Sequence, residues 1–315
     1  MTLKTHNSGI LKIITLIVPV FNEEESIEAF CDAVETLSLT DYEFHILFID
    51  DGSSDRTVEI IRQLQKTRKH IRLISFTRNF GKEAALFAGL KEAKGDAVIP
   101  IDVDLQDPIS VIPEFIKEWE NGADVVLGKR RSRDGDGLFK RLFAAMFYKL
   151  HHKISSIHIQ QNVGDFRLIS AELVPNITNL RERNLFMKGL LSFAGGKESV
   201  IEYDRPARLH GTASQSPIKL IRLALSGIIG YSTFPLKLAT FLGLITAFAS
   251  FLYGLYFFIR TIILGNDVHG YPSLLIIMLF LGGVQLISVG ILGEYIGRIY
   301  IEVKDRPRYL IKDKE

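Results

Sequence analysis

Short β-branched runs alternate with amphipathic stretches from residue 13 to residue 128, a pattern that predicts successive strand–helix–strand units and an α/β fold. ITLIVPV is an unbroken apolar run, as expected of a parallel strand buried on both faces. In EEESIEAFCDAVETL the apolar residues Ile27, Phe30, Cys31, Val34 and Leu37 recur at helical spacing. FHILFID reads as the second strand, and Ser53, Ser54 and Asp55 are candidate caps for a helix through Val58, Ile61 and Leu64. IRLISF, DAVIPID and ADVVLG follow as strands, with GKEAALFAGLKEA as the third helix. Residues 161–210 continue the α/β pattern, with a strand in KESVIEYDRPARL.

The pattern then changes. KRRSRDGDGLFKR, from Lys129 to Arg141, is a basic loop broken by glycines and leads into the amphipathic stretch LFAAMFYKLHHKIS. SPIKLIRLALSGIIGYSTFPLK has an apolar face with Lys219, Arg222 and Lys237 left for the other, and reads as one or two helices lying in a bilayer interface. Leu238–Ile259 and Ser273–Gly293 are uncharged runs of 22 and 21 residues. Both exceed the roughly 18 residues that mark a membrane span, and the short link between them makes a hairpin. Basic residues gather before and after the hairpin (Lys219, Arg222, Lys237; Arg298, Lys304, Arg306, Arg308), and only Arg260 lies near its turn. The positive-inside rule therefore predicts a multi-pass protein of the inner (cytoplasmic) membrane with the large domain and both termini in the cytoplasm. The resulting division is a polar tail over 1–12, an α/β domain over 13–211, interfacial helices over 212–237, the hairpin over 238–298 and a tail over 299–315.

Composition adds little to this and excludes some classes. At 315 residues with a net charge of +2, the chain shows no global attraction to polyanions, so nucleic acid is not an expected partner. The single cysteine, Cys31, forms no internal disulfide and reads as a small buried helix residue. The first apolar run is too short for a signal peptide or a span.

Chemistry concentrates where strands end. Asp50-Asp51-Gly52-Ser53 closes the second strand, and Asp102-Val103-Asp104 closes the fourth, inside IPIDVDLQDP. The carboxyl ends of strands are where open α/β sheets bind ligands. On an extended chain Asp102 and Asp104 point the same way, and two such carboxylates suit Mg²⁺ or Mn²⁺ shared with substrate phosphates. A carboxylate in the Asp50–Asp51 pair can receive a base N–H or ribose hydroxyls, or serve as an Asx-turn and helix cap. No G-x-G-x-x-G or G-x-x-x-x-G-K-[ST] is present, and Asn79-Phe80-Gly81-Lys82 offers a Gly-Lys pair without the loop before it, which disfavours dinucleotide oxidoreductases and P-loop NTPases. The arginines of the basic loop suit phosphate oxygens, on a lipid headgroup or a substrate. Asp165, in NVGDFRL, fits either a structural ion pair or catalysis. Every carboxylate motif precedes residue 170, so a piece ending near residue 211 is expected to bind nucleotide by itself.

IVPVFNEEESI, FIDDGSSDRT, TRNFGKEAALFAGL, GDAVIPIDVDLQDP, NVGDFRLIS and RNLFMKG, in this order, resemble the family 2 glycosyltransferases, and more narrowly the polyprenyl-phosphate glycosyltransferases, relatives of dolichol-phosphate mannose synthase. The tail FLGGVQLISVGILGEYIGRIYIEVKDRPRY is similar to that of the bactoprenol glucosyltransferases. The resemblance implies a GT-A fold, a Rossmann-like, mainly parallel sheet with flanking helices. It implies that Pro19, Asn22, Glu23, Asp50, Asp51, Lys82 and Asp102 bind the nucleotide-sugar, that Asp104 and Gln106 hold Mg²⁺ or Mn²⁺, and that Arg130 and Arg141 receive the lipid phosphate. Asp104 and Asp165 are its catalytic carboxylates. The Gln-x-x-Arg-Trp motif of processive synthases is absent, which implies transfer of one sugar. The expected reaction is inverting transfer of glucose from UDP-glucose to undecaprenyl phosphate at the cytoplasmic face, supplying lipopolysaccharide O-antigen modification. The expected assembly is a homo-oligomer, with a tetramer in view. The rival readings are another donor (GDP-mannose, UDP-N-acetylhexosamine or a UDP-amino-arabinose) and a non-catalytic scaffold or flippase.

Overall fold

The computed structural model describes residues 11–37, 39–131, 163–180, 182, 187–193, 195–204, 234–264 and 270–315. Arg141, the later part of the basic loop and the segment expected to form interfacial helices up to residue 233 lie outside these. The described residues fall into two compact units, one holding the α/β elements together with Pro307–Glu315, the other holding the two long apolar helices.

In the first unit eight strands form one sheet in the order β7-β5-β6-β4-β1-β2-β3-β8. They are β1 (Lys12–Val20), β2 (Tyr42–Asp50), β3 (Ile71–Phe76), β4 (Ala97–Pro100), β5 (Val125–Arg130), β6 (Val163–Ser170), β7 (Glu198–Tyr203) and β8 (Ile311–Lys314). The helices are α1 (Ile27–Glu35), α2 (Thr57–Thr67), α3 (Lys82–Glu92), α4 (Ile112–Glu120), α5 (Val174–Thr178) and α6 (Met187–Phe193). Strand β1 lies between β2 and β4, parallel to both, and its central residues Ile14, Leu16, Ile17 and Val18 are fully buried. That explains the missing alternation in its sequence: both faces are covered, so apolar residues run on, and the one buried polar residue, Thr15, bonds the Lys94 carbonyl.

The two faces carry separate cores. Leu16 and Val18 pack with Phe30, Cys31 and Val34 of α1, and Phe30 meets Phe48 edge-on with ring centroids 6.2 Å apart. Burial pushes the Cys31 thiol up to about 11, in line with an inert structural residue. Ile17 and Ile49 face α3, whose residues Ala84 to Leu90 are all buried. A Cβ on Gly89 would lie 2.1 Å from Ile17 Cγ2, so this glycine lets α3 press onto β1.

Topology gathers the site. From β1 the chain steps one way to β2 and β3, then crosses to the other side for β4, so the strand order reverses between β1 and β4. Strand β6 runs antiparallel to β4, pairing Val98 with Ile169, which brings its start, Gly164 and Asp165, to the carboxyl end of β4. Strand β5 is antiparallel to β6, and β7 is parallel to β5 with Arg130 opposite Tyr203, so both of those residues reach the same edge. The sheet is therefore mixed, with parallel pairing at its centre.

The C-terminal segment differs from the expected tail. It returns to the first unit as β8, antiparallel to β3 with Ser75 opposite Asp313. A piece ending near residue 211 thus lacks one edge strand of the sheet. Polar, charged β8 (Ile311–Lys314) has no apolar pattern to announce it, because an edge strand needs only backbone pairing on one side.

In the second unit, α7 (Phe234–Leu264) and α8 (Tyr271–Val303) run 31 and 33 residues. At 1.5 Å per residue each is over about 45 Å long, beyond the roughly 30 Å of a bilayer's hydrocarbon core. Pro235–Tyr256 and Phe280–Val303 are long and apolar enough to cross a membrane, and neither is buried within the protein. Their outward faces carry Phe241, Phe248, Phe251, Leu286 and Ile287, all exposed.

Candidate active site

The site is built from connections that leave the carboxyl edge of the sheet. The β1–α1 connection turns at Asn22, a non-glycine residue with a φ of 53°. Its N–H donates to Ser53 Oγ and its Oδ1 accepts from the Ser54 N–H, both at 2.9 Å. The Glu23 N–H donates to Thr57 Oγ1 at 2.9 Å. Asn22 and Glu23 thereby tie the first connection to the start of α2, where Asp55 Oδ1 accepts from the Thr57 N–H at 3.0 Å; the N-cap itself is Arg56, with no side-chain cap bond, and not one of Ser53, Ser54 and Asp55 as expected.

Asp50 and Asp51 are both buried, and they divide the work. Asp50 Oδ1 accepts from the N–H of Ser53, three residues on, at 2.9 Å, which fixes the connection after β2 without the i to i+2 bond of an Asx-turn. Asp51 reaches across to the β3–α3 connection, where its two oxygens accept from the N–H groups of Phe80 (2.6 Å) and Gly81 (2.9 Å). Burial raises the Asp51 pKa, and the two amide donors oppose that rise. Gly52, with φ +77°, is required here: a Cβ would sit 2.5 Å from the Arg78 carbonyl carbon.

That connection delivers Lys82 at the first residue of α3. Its Nζ lies 2.6 Å from Asp102 Oδ1 and 3.0 Å from Asp165 Oδ2. Three residues from three separate motifs thus meet at one ammonium group. Burial works against the charge on Lys82, but Asp102 and Asp165 outweigh it and raise the pKa, so the ammonium stays protonated at neutral pH.

The DxD geometry differs from the sequence expectation. β4 ends at Pro100, and Val103 and Asp104 form a turn, followed by Leu105 at a φ of 54°. Asp102 and Asp104 therefore do not alternate along an extended strand. Asp102 faces Lys82, and Asp104 Oδ1 accepts from the Gln106 N–H at 3.2 Å across the turn. The Gln106 side chain is buried and its Oε1 has no hydrogen-bond partner. A buried orphan carbonyl oxygen two residues from the Asp104 carboxylate is the kind of hard-oxygen donor that fits a divalent cation. Among the described residues no three His, Cys, Asp or Glu side chains form such a group alone.

Arg130 is far from the carboxylate motifs in sequence but adjoins them in space. Its guanidinium covers Gly164, where a Cβ would lie 3.2 Å from Nη2, and Nη2 itself is 3.4 Å from Asp107 Oδ1. The buried Tyr203 hydroxyl donates to Asp107 Oδ1 at 2.6 Å, and Arg130 Nε approaches the same hydroxyl at 3.4 Å. Tyr203 and Asp107 were not legible as site residues. Asp107 is the last acid of DLQDP, and Tyr203 is an ordinary apolar position of an edge strand until β7 is paired with β5. Pro19 lies on β1 opposite Ile49, next to the Asp50 end of β2.

A switch-point edge lined by carboxylates, on a mixed sheet of this order, is that of a GT-A glycosyltransferase. The chain belongs to glycosyl transferase family 2, whose model matches residues 15–178, and the GtrB C-terminal hairpin model matches residues 234–299. It is 59% identical over 300 residues to the SfII prophage-derived bactoprenol glucosyl transferase of Shigella flexneri, covering 95% of this chain and 97% of that one. It is 58% identical over 303 residues to the bactoprenol glucosyl transferase of Shigella phage SfV, covering 96% and 99%. A prophage bactoprenol glucosyl transferase homolog of Escherichia coli K12 is 56% identical over 300 residues, covering 95% and 98%. The protein is a glycosyltransferase enzyme.

Proposed function

We propose that this enzyme transfers one glucose from UDP-glucose to a polyprenyl phosphate, undecaprenyl phosphate, with inversion at the anomeric carbon. The observation that carries the reading is the meeting of Lys82 with Asp102 and Asp165, alongside Arg130 over Gly164. Donor-side carboxylates and a phosphate-binding cation stand at one edge, as a single displacement between a sugar nucleotide and a lipid phosphate requires. The named relatives support the acceptor and the sugar.

In this reaction an oxygen of the lipid phosphate forms a bond to C1 of glucose, and the bond from C1 to the UDP oxygen breaks with its electron pair leaving on UDP. The attacking phosphate is already anionic, so no strong base is required. Asp165, already ion-paired with Lys82, serves to orient rather than deprotonate. Arg130, held by Asp107 and Tyr203, presents its guanidinium to the acceptor phosphate. Asp102 and Lys82 face the donor. Mg²⁺ or Mn²⁺ held by Asp104 and Gln106 would neutralise charge developing on the diphosphate.

The same reading puts the enzyme in the cytoplasmic membrane with its sheet on the cytoplasmic side. Two spans would return the chain to the side from which it set out, and a sheet with strands from before and after the hairpin supports this. Lys237 and Arg298 near the outer ends of the two spans, and Lys304 and Arg306 just beyond the second, support that orientation.

The test separates donor from acceptor. In full-length protein in detergent, Arg130→Ala should raise the KM for undecaprenyl phosphate about tenfold or more and leave UDP affinity within twofold, as loss of one charge-assisted contact implies. Loss of UDP binding with unchanged acceptor kinetics would move Arg130 to the donor side.

A further inference from the structure

The tail after the second long helix touches the site's framework at several points. Strand β8 extends the sheet through β3, with backbone bonds from Leu73 to Glu315 (3.1 Å), back from Glu315 to Leu73 (2.8 Å), and from the Thr77 N–H to the Leu310 carbonyl (3.0 Å). The last of these falls on the first residue of the β3–α3 connection. Just before β8, Tyr309 stacks on Phe76 with ring centroids 4.9 Å apart and planes 12° from parallel. Phe76 in turn meets Phe80 edge-on at 5.8 Å. Arg308 lies over the Phe87 ring of α3, 4.0 Å from its centroid, and donates to the Leu180 carbonyl. At the far end of the strand, Lys314 pairs with Glu92 at the close of α3 (2.6 Å).

The contacts of Tyr309 and Leu310 bear on the segment that delivers Lys82, through Phe76 and Thr77. Phe80 and Gly81 are the residues whose N–H groups bind Asp51, and Lys82 follows them directly. Residues 77–81 have no regular secondary structure, so their position rests on Asp51 at one side and on Phe76, Phe80 and what packs against them at the other. Tyr309 supplies that second side. A loop fixed at one side only would give Lys82 freedom to leave Asp102 and Asp165.

We propose that Arg308, Tyr309 and Leu310 form a strap that positions the β3–α3 connection, and with it Lys82, on the reading of this edge as the donor site. Arg308 and Tyr309 are then positioning residues, far from the donor in sequence and acting on it through Phe76, Phe80 and Phe87. Competence to bind the sugar nucleotide would depend on a segment that follows the membrane hairpin, so the soluble-looking α/β domain is incomplete without the chain's last residues.

The experiment uses full-length protein in detergent and two readouts. Hydrogen–deuterium exchange reports the 77–81 amides with no reference to the donor, and calorimetry reports UDP affinity. Tyr309→Ala should speed exchange of the Phe80 and Gly81 amides at least tenfold, leave the β1 and β2 amides unchanged, and weaken UDP binding about tenfold. Tyr309→Phe should behave as wild type, since the ring is kept. Lys314→Ala, at the other end of β8, should leave both readouts unchanged. Tyr309→Leu provides a milder perturbation should the alanine variant fold poorly, with the same order of effects. Unchanged exchange at Phe80 and Gly81 in folded Tyr309→Ala and Tyr309→Leu would overturn the strap. Faster exchange with undiminished UDP affinity would overturn its link to the site. Wild-type protein that bound no UDP would refute the donor reading, and the exchange comparison would still decide the strap.

Discussion

Lys82 carries more of the arrangement than any other single residue. Without it, Asp102 and Asp165 would lose the ammonium group they share. Lys82→Ala should lower kcat/KM for transfer about a hundredfold, roughly 2.7 kcal/mol of barrier, with a melting temperature near wild type because the lysine is half-exposed. Lys82→Arg should recover part of the loss, since the charge is kept but a planar fork replaces a point donor. Steady-state kinetics beside a thermal melt checks this. Activity within threefold of wild type in Lys82→Ala would show that the bridge is incidental. The sequence displayed Lys82 only as half of a Gly-Lys pair, because its partners lie 20 and 83 residues downstream and only the sheet order brings them together. Asp102 and Asp104 were legible as a pair. Their turn geometry was not, since nothing in DVDLQ states that β4 stops at Pro100. Asp51 shows the opposite case: both roles open from sequence were reasonable, and the fold spends its oxygens on two backbone N–H groups.

At the scale of elements, buried strands and helices with a repeating apolar face were legible, and edges were not. β1 to β5, α1, α2 and α3 follow from runs such as ITLIVPV and FHILFID because core burial writes itself into consecutive residues. β8 carries Lys312, Asp313 and Lys314, the polar composition that natural sheets place at edges. Its contribution is testable by cutting the chain after residue 211. The loss of Tyr309 from the Phe76 ring and of β8 from β3 should lower the melting temperature of the α/β unit and weaken UDP binding at least fivefold relative to full-length protein. A shortened chain with full-length UDP affinity would restore the simpler division made from the positions of the motifs alone. The two long helices show a related limit. The uncharged runs gave their existence, but helix ends extend beyond those runs, to Phe234 and Val303, because backbone hydrogen bonding continues through flanking polar residues.

For the whole molecule, the fold brings to one edge a carboxylate set, an ammonium and a guanidinium, and joins them to a hairpin apolar enough for a bilayer. These parts suit the proposed transfer between a water-soluble sugar nucleotide and a lipid phosphate, with a polar edge for the donor and apolar helices for the place where the acceptor would reside. The measurement that bears most directly on this is lipid extraction after incubating the purified full-length enzyme with undecaprenyl phosphate, Mn²⁺ and radiolabelled UDP-glucose, with labelled GDP-mannose and UDP-N-acetylglucosamine in parallel. Label should enter the lipid phase from UDP-glucose, at least tenfold above the other donors, and be lost on adding EDTA or in Asp104→Asn. Label entering lipid from another donor and not from UDP-glucose would contradict the sugar assignment, and folded enzyme that labels lipid from none of them would contradict the central claim.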